Sequence, residues 1–418
     1  MDILLVAPHL EYPPKFTDCR YIIHRYTKIP KIKIVYVLGK HNVLTFKNGK
    51  LIDNYIYCKK KIHNNKFVAA FNSLIFGKNY LAEKWYISKN FFCEYKYILK
   101  KYKPKTVVFS YLYPLIAFKK NNLLSKKINI VCERINDDVN WFSTLKYRDT
   151  FHLNYFKSPV KLLKFLYSKI FNIICDNSIK WIKNNVKNLD PEIKHIFISK
   201  IDKINASKYM DTTKSTVIHP SHDLIQNKCE IRYPEKILKN KIKSCNLLFI
   251  GSLSVKMNYD ALLFFSEKFY PNIKSHFKKN ISVTIVGSSP TANIIDICST
   301  NNWKLIPNAT NNKLNFYYKN SHFSLLPFRY TNGFKTKYIE SLVNGLPLLA
   351  TKNINYLPGN KIPFSIFSDS VDDWIFNIDQ LLDMTYYDFY KVRKEIRKCT
   401  KFFDKSIISR NLIEYMEK

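Results

Sequence analysis

Residues Pro327–Thr351, PFRYTNGFKTKYIESLVNGLPLLAT, set Gly333, Lys335, Lys337 and Glu340 between two short apolar runs. That combination suits a phosphorylated sugar. Gly333 lacks a Cβ that would hold a phosphate away from the backbone, and Lys335 and Lys337 can neutralise a diphosphate. Glu340, an acceptor when ionised, suits a vicinal diol such as the two hydroxyls of a ribose. Thr336 and Glu340 are i,i+4 neighbours on a helix, and Lys337 lies three residues before Glu340. The plainer alternative is a solvated amphipathic helix whose Lys337–Glu340 pair is a surface salt bridge worth little.

The elements around these residues are legible. Phe323–Leu326 reads as a buried strand ending at Pro327, Phe334–Asn344 as a helix, and Leu346–Ala350 as the next strand, with Gly345 at the position after the helix's C-cap. A βαβ unit of this kind aims its helix N-terminus, with unpaired N–H groups and a partial positive charge, at the crevice beyond the strands' carboxyl ends. Upstream, the pattern predicts strand Leu247–Ile250, helix Tyr259–Phe277 with a break at Pro271, strand Val283–Val286, helix Ala292–Ser299, strand Lys304–Ile306 and helix Lys313–Tyr318. Leu262, Phe265, Phe269 and Ile273 form one apolar stripe, which we assign to the core. After Ser368 the chain reads as helical to Lys418.

Three segments, FIGSLSVKMNYDALLFF (Phe249–Phe265), VTIVGSSP (Val283–Pro290) and SLLPFRYTNGFKTKYIESLVNGLPLLAT (Ser324–Thr351), together resemble the donor-binding domain of family-4-type retaining glycosyltransferases. The resemblance implies an α/β chain of two facing Rossmann-like domains, the GT-B fold. It also implies transfer of a sugar from a nucleotide diphosphate with retention of configuration. The donor contacts it implies are Gly251, Ser252, Lys256, Gly333, Phe334, Lys335, Lys337 and Glu340. Many members carry a Glu-x₇-Glu motif contacting sugar and ribose; here Asn332 holds the first position and Glu340 the second. Many also carry an Arg after the first strand's glycine and a Lys soon after, both on the diphosphate. Here Ser252 and Lys256 stand at or near those places.

The first half reads as strands Ile3–Ala7, Ile32–Leu38, Thr106–Ser110, Ile128–Cys132, His195–Ile198 and Thr216–Ile218, alternating with helices. Pro8-His9-Leu10-Glu11-Tyr12-Pro13-Pro14-Lys15 replaces a Gly-rich loop after the first strand, which argues against a nicotinamide or flavin site. Ser221–Ser244 reads as a connection, giving domains 1–244 and 245–395, with 396–418 a C-terminal segment that the resemblance sends back to the first domain. His9, just past the first strand, is a candidate for meeting an acceptor hydroxyl, although a loop histidine is more often structural. Asp137, paired with Asp138, is a second candidate for orienting acceptor hydroxyls or binding a cation, although adjacent carboxylates more often mark a helix N-terminus, here before Trp141. With Asn332 these make the catalytic set.

The chain has 418 residues, 46% hydrophobic and 15% aromatic, enough for two cores. Nine scattered cysteines show no C-x-x-C or C-x-x-H spacing, so we expect reduced thiols, no bound metal and no cofactor beyond the donor substrate. No run suits a membrane span and no signal peptide precedes Ile3, which predicts a cytosolic enzyme. The formal net charge of +36 has two explanations. One is an AT-rich genome that enriches lysine throughout; the other is a functional field toward an anionic membrane surface. Lys59-Lys60-Lys61, followed by Phe67, Phe71, Phe76, Trp85 and Tyr86, is the better candidate for an acceptor or lipid face. In Lys157–Lys187, the residues Leu162, Phe165, Leu166, Ile170 and Ile173 make an apolar face with Lys161, Lys164, Lys169 and Lys180 around it, which suits either a membrane surface or, the favoured reading, a domain-packing helix whose lysines are solvated.

The resemblance thus implies a glycosyltransferase acting on a saccharide or lipid-linked acceptor, and by analogy with the family a place in bacterial capsule or lipopolysaccharide synthesis. A nucleotide-sugar epimerase of the same fold is one alternative. A basic nucleic-acid-binding protein is another, disfavoured because no helix-turn-helix or RNP signature is present.

Overall fold

The computed structural model describes residues 3–7, 25–26, 33–38, 42–47, 50–56, 66–78, 89–124, 127–134, 139, 142–143, 159–220, 233–331, 333–357 and 362–417. The chain divides into two compact units. The first comprises Met1–Ser221, Asn332–Phe334 and Lys405–Lys418; the second comprises His222–Thr331 and Lys335–Asp404.

The first unit is built on an eight-stranded sheet: β1 (Ile3–Ala7), β2 (Lys33–Leu38), β3 (Asn42–Lys47), β4 (Lys50–Ile56), β5 (Thr106–Ser110), β6 (Asn129–Arg134), β7 (Lys194–Phe197) and β8 (Ser215–Val217). Their order is β4-β3-β2-β1-β5-β6-β7-β8. The ladders are parallel except β2–β3 and β3–β4. Because β1 is central and covered on both faces, it is apolar throughout rather than alternating. Ile3, Leu5 and Ala7 enter one core cluster and Leu4 and Val6 another. The first cluster is covered by the C-terminal helix Lys405–Glu417 through Ile408, Leu412 and Met416, spaced four residues apart. That helix is pinned where Asn129 donates to the Met416 carbonyl (2.6 Å) and Tyr415 donates to the Lys214 carbonyl (2.6 Å). The second cluster is covered by helix Pro159–Val186 through Cys175, Ile182 and Val186.

The β3–β4 pair was not expected from the sequence. Polar residues at Asn42, Thr45, Lys47, Lys50, Asp53 and Asn54 interrupt the apolar run there, as suits a sheet edge.

The second unit holds six parallel strands: β9 (Cys245–Ile250), β10 (Ile281–Gly287), β11 (Lys304–Pro307), β12 (Phe323–Leu326), β13 (Leu348–Ala350) and β14 (Ile366–Phe367). Their order is β11-β10-β9-β12-β13-β14. The chain therefore leaves β9 toward β11, then returns to β12 on the other side of β9. The switch point falls between β9 and β12, and ligands of open α/β sheets bind beyond the strands' carboxyl ends at such a point.

The expected break at Pro271 lies elsewhere. The helix begins at Lys256 and carries a wide turn at Phe265–Phe269, while Pro271 sits at the start of the following helix Tyr270–Phe277, where its missing N–H leaves no hydrogen bond unmade. Leu262, Phe265, Phe269 and Ile273 are all buried, as the core reading requires. The helical region expected after Ser368 is present as the helices Val371–Leu382, Tyr386–Lys398 and Lys405–Glu417.

Candidate functional site

At the switch point of the second unit, the loop after β9 is held by close backbone contact. The Gly251 N–H donates to the Val286 carbonyl (3.0 Å), and a Cβ built on Gly287 would lie 1.8 Å from the Gly251 carbonyl oxygen. No side chain fits at Gly287. Gly251 is constrained less tightly: its Cβ would meet the Lys337 Nζ at 2.8 Å and the Asn258 Nδ2 at 2.9 Å, the ends of two side chains that would have to move aside. A glycine at the end of β9 is what lets a lysine from a different element reach the crevice.

That lysine lies on helix Thr336–Val343, the one between β12 and β13. The helix ends as its sequence dictates, with Gly345 at φ 68° and the Leu346 N–H donating back to the Ser341 carbonyl at 2.9 Å. In its first turn the Lys337 ammonium donates to the Asn258 side-chain oxygen (2.9 Å) and lies 4.3 Å from the Phe249 ring centroid and 5.0 Å from that of Phe328. Burial pulls its pKa down to about 7, with Lys335 adding to the fall and Glu340 opposing it. Lys337 thus sits in a mostly apolar cradle with, among the described residues, no carboxylate at hydrogen-bonding distance, a place where an arriving anion favours the ammonium form.

Glu340 lies one turn further along. Tyr318, on helix Asn311–Asn320, donates its hydroxyl to Glu340 Oε2 at 3.3 Å, and Thr336 also hydrogen-bonds the carboxylate. Burial pushes the Glu340 pKa up, while Lys337, Tyr318 and Thr336 pull it back. The carboxylate is therefore oriented but retains acceptor capacity for incoming hydroxyls.

Lys335 caps the same helix. Its backbone N–H donates to the Tyr356 hydroxyl (3.2 Å), and its ammonium approaches the Met257 sulfur at 2.9 Å and the Phe328 ring at 5.8 Å. Ser252 sits in the β9 loop, where its carbonyl accepts from Asn258 (2.7 Å), and Lys256 opens helix Lys256–Phe264 as an exposed side chain. The structure thus brings Gly251, Ser252, Lys335, Lys337 and Glu340 to one end of the second sheet, with Lys256 at the rim.

His9, Asp137 and Asn332 lie outside the described residues. Gly333, at φ 61°, and Phe334 group with the first unit, where Phe334 packs against that unit's core. At the end of β6, Glu133 is fully buried against Arg25 (2.8 Å) and Tyr26 (3.0 Å), and Arg134 is buried with Tyr209 (2.8 Å).

Several contributors escaped the sequence reading. Asn258 bridges the β9 loop to Lys337, Tyr318 orients Glu340, and Tyr356 receives the Lys335 N–H. Asp260 holds Arg329, the second residue after Pro327, through bonds at 3.1 and 3.0 Å to its Nε. Asn258 and Asp260 did leave a signal: two short polar side chains in the first turns of a helix whose second half, Ala261–Phe264, is apolar. Tyr318 and Tyr356 left none.

Residues 244–383 match the family model described as glycosyl transferases group 1. No curated protein sequence matches the chain. Among solved structures, Anabaena Alr3699/HepE in complex with UDP is similar at 9% identity and TM-score 0.59, covering 100% of both chains. HepE has also been solved with UDP-glucose. Sucrose-phosphate synthase from Thermosynechococcus elongatus is similar at 11% identity and TM-score 0.57, covering 99% of this chain and 98% of that one. A glycosyltransferase from Rickettsia africae is similar at 15% identity and TM-score 0.56, covering 100% and 98%. At these identities the likeness establishes the architecture, which is the GT-B fold of two Rossmann-like units. The second unit of this chain carries a group 1 glycosyl transferase domain.

Proposed function

We propose that the chain transfers a sugar from a nucleotide diphosphate sugar to a saccharide or lipid-linked acceptor, with retention of anomeric configuration. The observation that carries this reading is the Lys337 ammonium resting against Gly251 at the switch point, one helical turn from an oriented carboxylate, Glu340. Diphosphate and ribose are about one turn apart on a nucleotide, and this helix presents a cation and an acceptor with that spacing.

In the reaction, the bond from the anomeric carbon to the diphosphate oxygen breaks, and the acceptor oxygen bonds to that carbon. Negative charge gathers on the departing nucleoside diphosphate, whose freed phosphate oxygen takes the acceptor's proton. Lys337, with Lys335 beside it, meets that charge in a site of low polarity, where fixed charge counts for more than in water. The reading assigns the counter-charge to lysines of the chain rather than to a metal ion. It places the enzyme on the cytosolic side of a bacterial cell, in the synthesis of capsule or lipopolysaccharide.

A thermal-shift screen of nucleotide sugars, headed by UDP-glucose, tests the donor half of this reading. A true donor at a hundred times its dissociation constant stabilises the protein by about 2.7 kcal/mol. Absence of stabilisation by every nucleotide sugar and every nucleoside diphosphate would overturn it. For the transfer half, NMR of the product formed from the positive donor is expected to show the donor's own anomeric configuration; inversion would contradict retention.

A further inference from the structure

Helix Lys66–Phe76 of the first unit has its amphipathicity turned outward. Its small residues Ala69 and Ser73, one turn apart, face inward and are buried. Ser73 is tied to helix Pro159–Val186, its carbonyl accepting from Asn177 at 2.7 Å. On the opposite arc, Phe67 is 71% exposed, Phe71 57% and Ile75 61%, with Val68 and Phe76 also exposed. Residues 67, 71 and 75 are spaced i, i+4, i+8, so they form one continuous stripe. On the neighbouring helix, which meets Ser73 at the Ile174 carbonyl, Ile170 and Ile173 are exposed too, where the sequence pattern favours internal packing over a membrane surface.

The surroundings of this stripe are cationic. The segment Lys66–Lys78 contains no acidic residue, and helix Pro159–Val186 carries five lysines against Asp176 alone. Lys78, Lys169, Lys180 and Lys183 are exposed. Lys78 lies 5.8 Å from the Phe76 ring and Lys120 lies 4.8 Å from that of Trp181. Burial, with Lys78 nearby, lowers the Lys120 pKa, so these two ammoniums share one neighbourhood.

We propose that the outer stripe of helix Lys66–Phe76 docks on an anionic lipid surface, its phenylalanines and isoleucine entering the acyl boundary while the lysines around it meet lipid phosphates. Charge selects this occupant. A second copy of a chain carrying +36 would bring like-charged faces together, whereas an anionic leaflet attracts each lysine held near it. The stripe itself offers no hydrogen-bonding group, which suits hydrocarbon better than a polar protein surface. Among the described residues no helix is long and apolar enough to cross a membrane, so attachment through this face is peripheral. The proposal goes beyond the transferase reading and stands or fails without any assay of catalysis.

Flotation of the purified full-length chain with vesicles decides it, using phosphatidylcholine alone and phosphatidylcholine mixed with phosphatidylglycerol. Wild type is expected to float with the anionic vesicles at about 0.1 M salt and to float less at about 1 M, where the Debye length shrinks from about 10 Å to about 3 Å. A Phe67→Ser, Phe71→Ser, Ile75→Ser variant, changed only at exposed positions, is expected to keep the wild-type melting temperature and to partition at least about tenfold less. The proposal is overturned if wild type stays unbound with anionic vesicles at low salt, or if the triple variant floats as wild type does. It is equally overturned if sedimentation shows a wild-type dimer that the triple variant dissolves, since a second copy would then cover the stripe.

Discussion

Lys337→Met is expected to lower turnover about a hundred- to a thousandfold while leaving the melting temperature unchanged or raised. The loss in rate follows from removing a preorganised positive charge where the leaving diphosphate develops its own, an interaction worth about 3–4 kcal/mol in comparable sites. The gain in stability follows from the cost of burying the ammonium, which draws its pKa from 10.5 to about 7. The unfolded chain binds that proton more tightly, so between about 7 and 10.5 the unfolded state holds more protons and stability rises with pH. The methionine variant lacks that slope.

The same titration governs the donor. Below about pH 7 the ammonium is already formed; above it, a bound diphosphate raises the pKa again and binding must take up a proton. Donor affinity is therefore expected to fall with rising pH, approaching tenfold per unit above about 7, and the methionine variant should flatten that dependence. Calorimetric titration in buffers of different ionisation heat reads the proton uptake directly. Undiminished turnover in Lys337→Met, or donor affinity independent of pH in wild type, would place this lysine outside the reaction.

Glu340→Ala is expected to weaken nucleotide binding by about 1.5–3 kcal/mol, roughly ten- to a hundredfold, because a charged acceptor of two ribose hydroxyls disappears. The effect should vanish for a dideoxyribose analogue, which offers neither hydroxyl. Because burial raises the Glu340 pKa, ribose hydroxyls that donate to the carboxylate pull it back down. Acidification through that range should therefore weaken nucleotide binding in wild type and leave Glu340→Ala unaffected. Equal loss for the ribose and dideoxyribose forms would assign Glu340 a purely structural role.

The second unit's site was legible because its parts are local. Lys337 and Glu340 are three residues apart on one helix, and the strand, turn and glycine signals fix where that helix starts and stops. Gly251 was legible as the end of β9. Asn258 and Tyr318 depend instead on how distant helices pack around that one, which no spacing encodes. The near-neutral Lys337 has the same origin, since Phe249 and Phe328 come from two other segments.

In the first unit the six parallel strands were visible as apolar runs, with ends shifted by at most two residues. The β3–β4 pair was overlooked although Asn48-Gly49, a strong hairpin signal, stands between its strands in the sequence. The exposed stripe on helix Lys66–Phe76 was half legible. Its aromatics stood out, but which arc of the helix they occupy emerges only once Ala69 and Ser73 are seen to face inward.

The most direct measurement is a crystal structure of the protein with UDP or the nucleoside diphosphate of whichever donor stabilises it. The account predicts both ribose hydroxyls at about 2.5–3.2 Å from the Glu340 carboxylate and a phosphate oxygen within about 4 Å of the Lys337 Nζ, at the carboxyl ends of β9 and β12. A nucleotide bound elsewhere, or one lying here with its ribose turned away from Glu340 and its phosphates away from Lys337, would contradict it.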